Sequence, residues 1–256
     1  MLRQFVESKW HKRLLNAFFL LSRLALISEI SRNPVYADNK TEEALNLRQK
    51  ILDLANSYHG QGDGDGAKQR SLTILVDRLI ALSPQAAVKD RLKLLHGVWK
   101  QAWGAYDYRN DKRGVDPELG VDEIYQVVSE KGYYYNVSPL YDKGDRTRAR
   151  IGLLRGEYRL DPHNPNLLRI KFTKYPGVRN RPTELELWEL PAFAESGNLR
   201  NRTTIVPTII VKLFFGGGAL REVYTDENLR ILYGSDGKHF DKEFIYVMTR
   251  VKNEQP

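Results

Sequence analysis

Residues 94–100 read LLHGVWK, and the spacing of apolar side chains changes at this point. Before it they recur at helical spacing; after it they alternate with polar side chains, as in 167–173. The predicted strands are 99–106, 124–129, 132–137, 149–160, 167–173, 184–190, 206–214, 219–225, 228–232 and 244–251. Many short antiparallel strands indicate a barrel or a sandwich. About ten strands entered from a helical lead favour a mainly β protein with N-terminal α-helices and one closed antiparallel β-barrel.

Upstream of this point the sequence predicts two helices. The first spans about 41–58, with Thr41 as its expected N-cap, and the second spans 67–82. A short helical turn is expected at 90–95. The Gly/Asp-rich run 59–66 lacks the ligand spacing of a calcium-binding loop, so we interpret it as a turn.

The composition excludes several classes of protein. The chain has 256 residues and no cysteine, which excludes disulfides, thiolate metal centres and thiol nucleophiles. Its 41% apolar and 28% charged residues are typical of globular proteins rather than disordered ones. The net charge of +8 favours anionic partners, either lipid surfaces or nucleic acid.

Residues 1–37 have the layout of an export signal. A basic region precedes the apolar stretch 14–27, and Pro34, expected to end the helical stretch, precedes the small-residue pattern 35–37. Arg23 lies inside the apolar stretch and argues against a transmembrane helix. A cleaved signal is our first interpretation. An amphipathic surface helix and an organelle-targeting presequence are the alternatives.

Two separated stretches resemble the plastid lipid-associated protein (fibrillin) family. The first is the helix 67–82 with its Ser83-Pro84 end, followed by the leucine pair and Gly-x-Trp of 94–100. The second is 220–231, LREVYTDENLRI, with its Tyr-x-Asp and Leu-Arg-Ile. The likeness covers roughly 42–251, and a cyanobacterial-type member is the nearest description.

The resemblance implies a lipocalin-like β-barrel. In this interpretation 38–256 form one domain, in which a helical lead, 38–96, packs on the barrel, 97–256.

The resemblance also implies a function. It implies a non-enzymatic protein that binds a hydrophobic small molecule, such as a carotenoid, a prenylquinone or another lipid. The implied location is thylakoid membranes or lipid bodies (plastoglobules). That would be the lumen or periplasm if the signal is cleaved, and otherwise the cytoplasmic or stromal membrane surface. A scaffold that contacts prenyl-lipid enzymes without its own ligand is the alternative.

Four residues are predicted to close the barrel. Gly97 would allow a tight, close turn of the backbone at the start of the first barrel strand. The Trp99 side chain would then close one end of the barrel. Arg230 would lie over the indole face as a cation–π partner. Asp226 would cap the tight turn before Asn228.

Bulky side chains on the predicted strands are candidates for lining a ligand cavity. They are Trp103, Tyr125, Tyr134, Phe172, Phe214, Tyr224 and Tyr246.

A basic surface patch is also predicted. Arg146, Arg148 and Arg150 alternate along one strand and would meet an anionic thylakoid lipid surface or, as a less favoured alternative, single-stranded nucleic acid. The histidines lack metal-ligand spacing and no nucleophile motif is present, so we expect no enzyme activity, metal or cofactor.

Overall fold

The computed structural model describes residues 34–59, 61, 63, 65–105, 119–121, 123–142, 144–180, 217–235 and 243–252. These residues belong to two compact units, Met1–Asn46 and Leu47–Pro256. In the first unit the described element is the start of helix α1. All that follows concerns the second unit, apart from the bounds of that helix.

Helix α1 spans Pro34–Ser57, α2 spans Ala67–Leu82, a 3₁₀ turn spans Val88–Asp90 and α3 spans Leu92–Leu95. The prediction for α2 is confirmed at both ends, and the short helical turn expected at 90–95 is present.

The predicted start of α1 was wrong. The helix begins at Pro34 because proline suits a first helical position, where its missing N–H is not needed. Pro34 therefore starts a helix instead of ending one, and Thr41 lies inside α1 instead of capping it. The pattern 35–37 also lies in α1, and its cleavage stays a prediction.

The described strands form one antiparallel sheet. They are β1 (Gly97–Gly104), β2 (Leu119–Val121), β3 (Tyr125–Val128), β4 (Tyr133–Asp142), β5 (Asp145–Leu160), β6 (Leu167–Asn180), β7 (Gly217–Thr225), β8 (Leu229–Ser235) and β9 (Phe244–Arg250). The order is β4-β3-β1-β9-β8-β7-β6-β5, and β5 pairs with β4 again. Within the described residues, eight strands thus close into a barrel, which confirms the predicted antiparallel barrel.

The strand predictions differ from the structure at several points. Strands β4 and β6 run to Asp142 and Asn180, past the predicted ends at residues 137 and 173. Strand β2 was not predicted; it pairs with β4 where β4 extends past β3. Strand β5 begins at Asp145, before the predicted start at residue 149. The predicted strands 184–190 and 206–214 lie outside the described residues.

Helix α2 covers the outer face of β8 and β9. Its apolar stripe is buried at Leu72, Val76 and Leu79. The Thr73 hydroxyl lies 3.2 Å from the Tyr233 hydroxyl. The Gln69 amide donates to the Glu243 carbonyl (3.1 Å) and accepts from the N–H of Ile245 (3.2 Å). These bonds fix the helix against the barrel wall.

The segment from the 3₁₀ turn to α3 crosses the barrel end at which β1 starts. The N–H of Val88 donates to the Pro165 carbonyl at 2.9 Å, between β5 and β6. Arg91 donates to the Glu222 carbonyl on β7 at 2.8 Å. We call this segment, together with Trp99, the floor. None of the described helices combines the length and apolarity needed to span a membrane.

Candidate ligand-binding interior of the barrel

Trp99 forms the centre of the floor. Its side chain is fully buried, and its indole N–H donates to the Leu95 carbonyl at 2.8 Å. Gly97 has a φ of 127°, and a Cβ there would lie 2.7 Å from a guanidinium nitrogen of Arg250. Glycine is therefore required at this position both for its backbone conformation and for the close approach.

Two arginines approach the Trp99 indole. The predicted partner, Arg230, has its guanidinium carbon 6.0 Å from the ring centroid. Arg250, which sequence reasoning missed, is closer, at 4.1 Å. It also donates to the carbonyls of Leu94, His96 and Glu227, the last two at 2.7 Å each. Arg250 thus locks the last strand onto the floor.

Asp226 holds the turn between β7 and β8, as predicted. One carboxylate oxygen accepts from the backbone N–H groups of Asn228 and Leu229, at 2.8 Å each. The other accepts from the Tyr224 hydroxyl and pairs with Arg48, at 2.9 Å each. The role of Asp226 is therefore a turn cap and not an interior contact.

A buried ion pair lies above the floor. Arg230 and Glu222 are both 0% exposed, and the guanidinium donates twice to the carboxylate, at 2.5 and 3.1 Å. A third bond runs from Arg230 to the Gln126 side-chain oxygen at 3.0 Å. Burial alone would lower the pKa of Arg230, but the Glu222 carboxylate outweighs it and raises that pKa. The Arg230 guanidinium therefore stays charged in the barrel.

Tyr134 and Gln101 lie in the same layer of the interior. Burial raises the pKa of the Tyr134 phenol far above its usual range, and this phenol interacts electrostatically with Arg230. Gln101, 4% exposed as a residue, pairs with Met248 on β9, which in turn pairs with Arg230 on β8. We call Gln101, Gln126, Tyr134, Glu222 and Arg230 the polar layer. This layer spans the barrel just above Trp99.

Farther from the floor than the polar layer, four strands carry a glycine. Gly104, Gly156, Gly218 and Gly234 lie on β1, β5, β7 and β8, and strand alternation places all four on the inner face. We call them the glycine belt. Since glycine has no side chain, neighbouring groups can approach the wall closely at these positions.

Aromatic rings lie against this belt. A Cβ at Gly104 or at Gly234 would fall 2.8 Å from the Tyr246 ring, on opposite edges of that ring. A Cβ at Gly156 would fall 3.2 Å from the Phe172 ring. The two rings therefore lie along the barrel wall instead of crossing the interior.

Burial changes along the interior. Trp99 and Arg230, at and just above the floor, are 0% exposed. At the level of the glycine belt, Phe172, Tyr246 and Leu154 face inward yet are partly exposed. Among the described residues, the inward-facing side chains at the belt are therefore more exposed than those at the floor.

Three predicted cavity residues share this interior. Tyr134, Phe172 and Tyr246 lie with Trp99 in one apolar cluster. Burial raises the pKa of Tyr246 to about 12. These three rings form the apolar part of the candidate site.

Two β-bulges turn other predicted cavity residues outward. One lies between Gln101 and Trp103, and the other lies between Glu222 and Tyr224. Each shifts the pairing by one residue and so moves the following side chain to the opposite face. Trp103 consequently packs edge-on against Tyr58, at 5.8 Å, outside the barrel. Trp103 and Tyr224 therefore do not line the interior.

Tyr125 also faces away from the interior. It packs with Val98, Tyr135 and their neighbours in a second apolar cluster on the outer face of the wall. Its strand neighbour Gln126 faces inward instead. The side chains of Arg146, Arg148, Arg150 and Phe214 lie outside the described part of the structure.

No protein-family model and no curated protein sequence matches this chain. Within the described ranges, no three His, Asp or Glu side chains group as metal ligands.

Proposed function

We propose that the barrel binds one hydrophobic small molecule at the level of the glycine belt. The observation that carries the proposal is the pairing of inner-face glycines with aromatic rings that lie along the wall. Sites for apolar ligands are concave, lined by apolar and aromatic groups, and contain few polar groups. The partly exposed Phe172 and Tyr246 above a closed floor fit that description.

The same proposal includes the family. We infer a plastid lipid-associated (fibrillin) type of protein with a lipocalin-like barrel and a non-enzymatic role at thylakoid membranes or lipid bodies. The residue patterns of 94–100 and 220–231 support it, and so does the closed antiparallel barrel. In the structure these two patterns meet, because Trp99 from the first lies beside Arg230 from the second.

The test is an interior-blocking variant. Leu154 faces inward two residues before Gly156 and opposite Asn136 on β4, so Leu154→Trp would fill interior space at the belt. The matched control is Leu160→Trp, at an exposed position of the same strand. The probe is N-phenyl-1-naphthylamine, an uncharged dye that fluoresces in apolar sites.

We expect the full chain to bind this probe saturably with one site. Leu154→Trp should weaken binding by at least about 10-fold, whereas Leu160→Trp should leave it unchanged. Raising the salt concentration should not matter, because the site is apolar. Thermal unfolding confirms that both variants fold. Absence of saturable binding, or equal binding by Leu154→Trp, would contradict the proposal.

A further inference from the structure

We propose that a cavity outside the barrel, between α2 and the wall, binds a primary ammonium group carried on a short aliphatic chain. The cavity has a volume of about 350 Å³, which is within the range of small-molecule sites. The proposal is independent of the interior site, because the residues that line this cavity lie on the outer side of the wall.

One stripe of α2 forms the helical side of the cavity. Gln69, Thr73, Asp77 and Ile80 recur at intervals of three or four residues, so they share one face of the helix. Gln69 is held in place by its bonds to the backbone of Glu243 and Ile245. The stripe therefore changes from polar at Gln69 to apolar at Ile80.

Strands β7 and β8 and the residue before β9 form the opposite side, with Arg221, Val223, Tyr233 and Glu243. The Arg221 guanidinium carbon lies 4.5 Å from the centroid of the Tyr233 ring. The same guanidinium donates three hydrogen bonds to the Glu243 carboxylate, at 2.5 to 3.1 Å. Arg221 is thus already paired, and its positive charge is neutralised.

Asp77 is the charged group that remains for a ligand. Its carboxylate makes no hydrogen bond or ion pair with any described residue. Burial raises the pKa of Tyr233, the hydrogen bond with Thr73 opposes that rise, and the Asp77 charge adds to it. The negative charge of Asp77 therefore acts on the Tyr233 hydroxyl, at the wall of the cavity.

The charge of the cavity selects a cation. Of the described charged side chains, two carboxylates and one guanidinium line it, and this excess of negative charge repels an anion. The whole chain carries +8, but salt screens charges beyond about 8 Å, so the lining groups decide. An ammonium group has three donors, which suit the Asp77 carboxylate and the hydroxyls of Thr73 and Tyr233.

The apolar end of the cavity sets the rest of the ligand. Ile80 lies three residues beyond Asp77, about 4.5 Å along the helix axis. Val223 on β7 lines the same cavity. An aliphatic chain that extends from the ammonium group toward Ile80 and Val223 would remove apolar surface from water. A free alkylamine and a lysine side chain of a partner protein share this chemistry.

The experiment compares a cation, a neutral molecule and an anion of similar length, namely pentylamine, 1-pentanol and hexanoate. Each is titrated into the full chain. NMR follows the backbone N–H groups of Thr73, Asp77 and Tyr233, which report on this cavity. We expect pentylamine to shift these signals saturably at concentrations about 10-fold lower than pentanol, and hexanoate to cause no saturable shift. Raising NaCl from about 0.05 to 0.5 M should weaken pentylamine binding.

Variants assign the binding to Asp77. Asp77→Asn should weaken pentylamine binding about 3- to 10-fold, because it removes the charge and keeps the shape. The matched control is Asp53→Asn, at an exposed position of α1. Leu154→Trp, which blocks the barrel interior, should also bind pentylamine normally. Asp77 is exposed, so its variant should fold; if it does not, the comparison with pentanol and the salt dependence carry the test.

A fourth probe, Nα-acetyl-lysine methylamide, separates the two sources of the ammonium group. Binding as tight as that of pentylamine would assign the site to a lysine of a partner protein, and binding by pentylamine alone would assign it to a free amine. The ammonium site is wrong if pentylamine causes no saturable shift, if pentanol binds equally, or if Asp77→Asn keeps full affinity. None of these results affects dye binding in the interior, which is tested separately.

Discussion

The floor and the glycine belt are two levels of the same barrel, and they are built in opposite ways. At the floor, Trp99 is fully buried, hydrogen-bonded to Leu95 and approached by two guanidinium groups. At the belt, glycines replace side chains, and the rings of Phe172 and Tyr246 lie along the wall. The difference indicates that the floor supplies stability, and in our proposal the belt is the level at which the ligand binds.

Trp99→Ala should have the largest effect on stability. Removing a fully buried indole costs about 3–5 kcal/mol of unfolding free energy. Phe172→Ala, which removes a partly exposed ring at the belt, should cost clearly less, because less surface leaves water on folding. Urea denaturation measures both. Equal losses would remove the distinction between the two levels.

Gly234→Ala should affect the belt itself. A Cβ there would lie 2.8 Å from the Tyr246 ring, so the ring must shift. We expect a loss of about 1–3 kcal/mol from overpacking, together with weaker dye binding. Gly144→Ala is the control, since nothing lies within 4 Å of its Cβ position. Unchanged dye binding by a folded Gly234→Ala would show that the belt does not hold the ligand.

Arg250→Met tests the contacts by which Arg250 on β9 holds Trp99 and the neighbouring backbone. The substitution keeps an aliphatic chain but removes the cation beside Trp99 and the bonds to backbone carbonyls. Because Arg250 is only partly buried, the expected loss is about 0.5–2 kcal/mol. Dye binding at the belt should persist. A combined loss of stability and binding would show that the two levels are coupled.

The smallest effect concerns pH and His96, the residue that follows α3. Its Nε2 donates to the Tyr158 hydroxyl at 3.1 Å, and that hydroxyl donates to the Ser129 carbonyl. Burial lowers the pKa of His96 below 6.5; Glu130 opposes this shift and Arg250 adds to it. The unfolded chain therefore takes up the proton first as the pH falls below 6.5, and stability declines.

Urea denaturation between about pH 7 and pH 5 checks this dependence. His96→Gln should flatten the decline, because it removes the group that protonates only on unfolding. The exposed His163 serves as the control, and His163→Gln should keep the slope of the unmodified chain. An unchanged slope in His96→Gln would rule out His96 as its source.

Local patterns were sufficient for much of the fold. The apolar stripe predicted α2 at its observed bounds, and alternation predicted the inner face of β6 at Leu168, Ile170 and Phe172. Gly97 and Trp99 were also predictable, since a glycine two residues before a tryptophan at a strand start suits a close turn and a plug. These features depend on neighbours in the chain.

The site depended on features that local patterns do not contain. Simple alternation along the strands places the Trp103 and Tyr224 side chains inside the barrel. The bulges that turn them outward are visible only in the pairing of β1 with β9 and of β7 with β8. Arg250 meets Trp99 because β1 pairs with β9, a contact between distant parts of the chain. One available signal was missed: Glu222 shares a strand face with Leu220, so a charge on an apolar face was visible in the sequence.

The pairing of β1 with β9 also affects how the chain can be synthesised and folded. Of the described strands, β9 is the last to be synthesised and it completes the wall; its final residue, Arg250, lies over Trp99. A nascent chain on the ribosome therefore has neither a closed wall nor a finished plug until Phe244–Arg250 has emerged. Until then the strands to be joined, β1 and β8, have edges open to other chains, so early termination of translation would yield an aggregation-prone product.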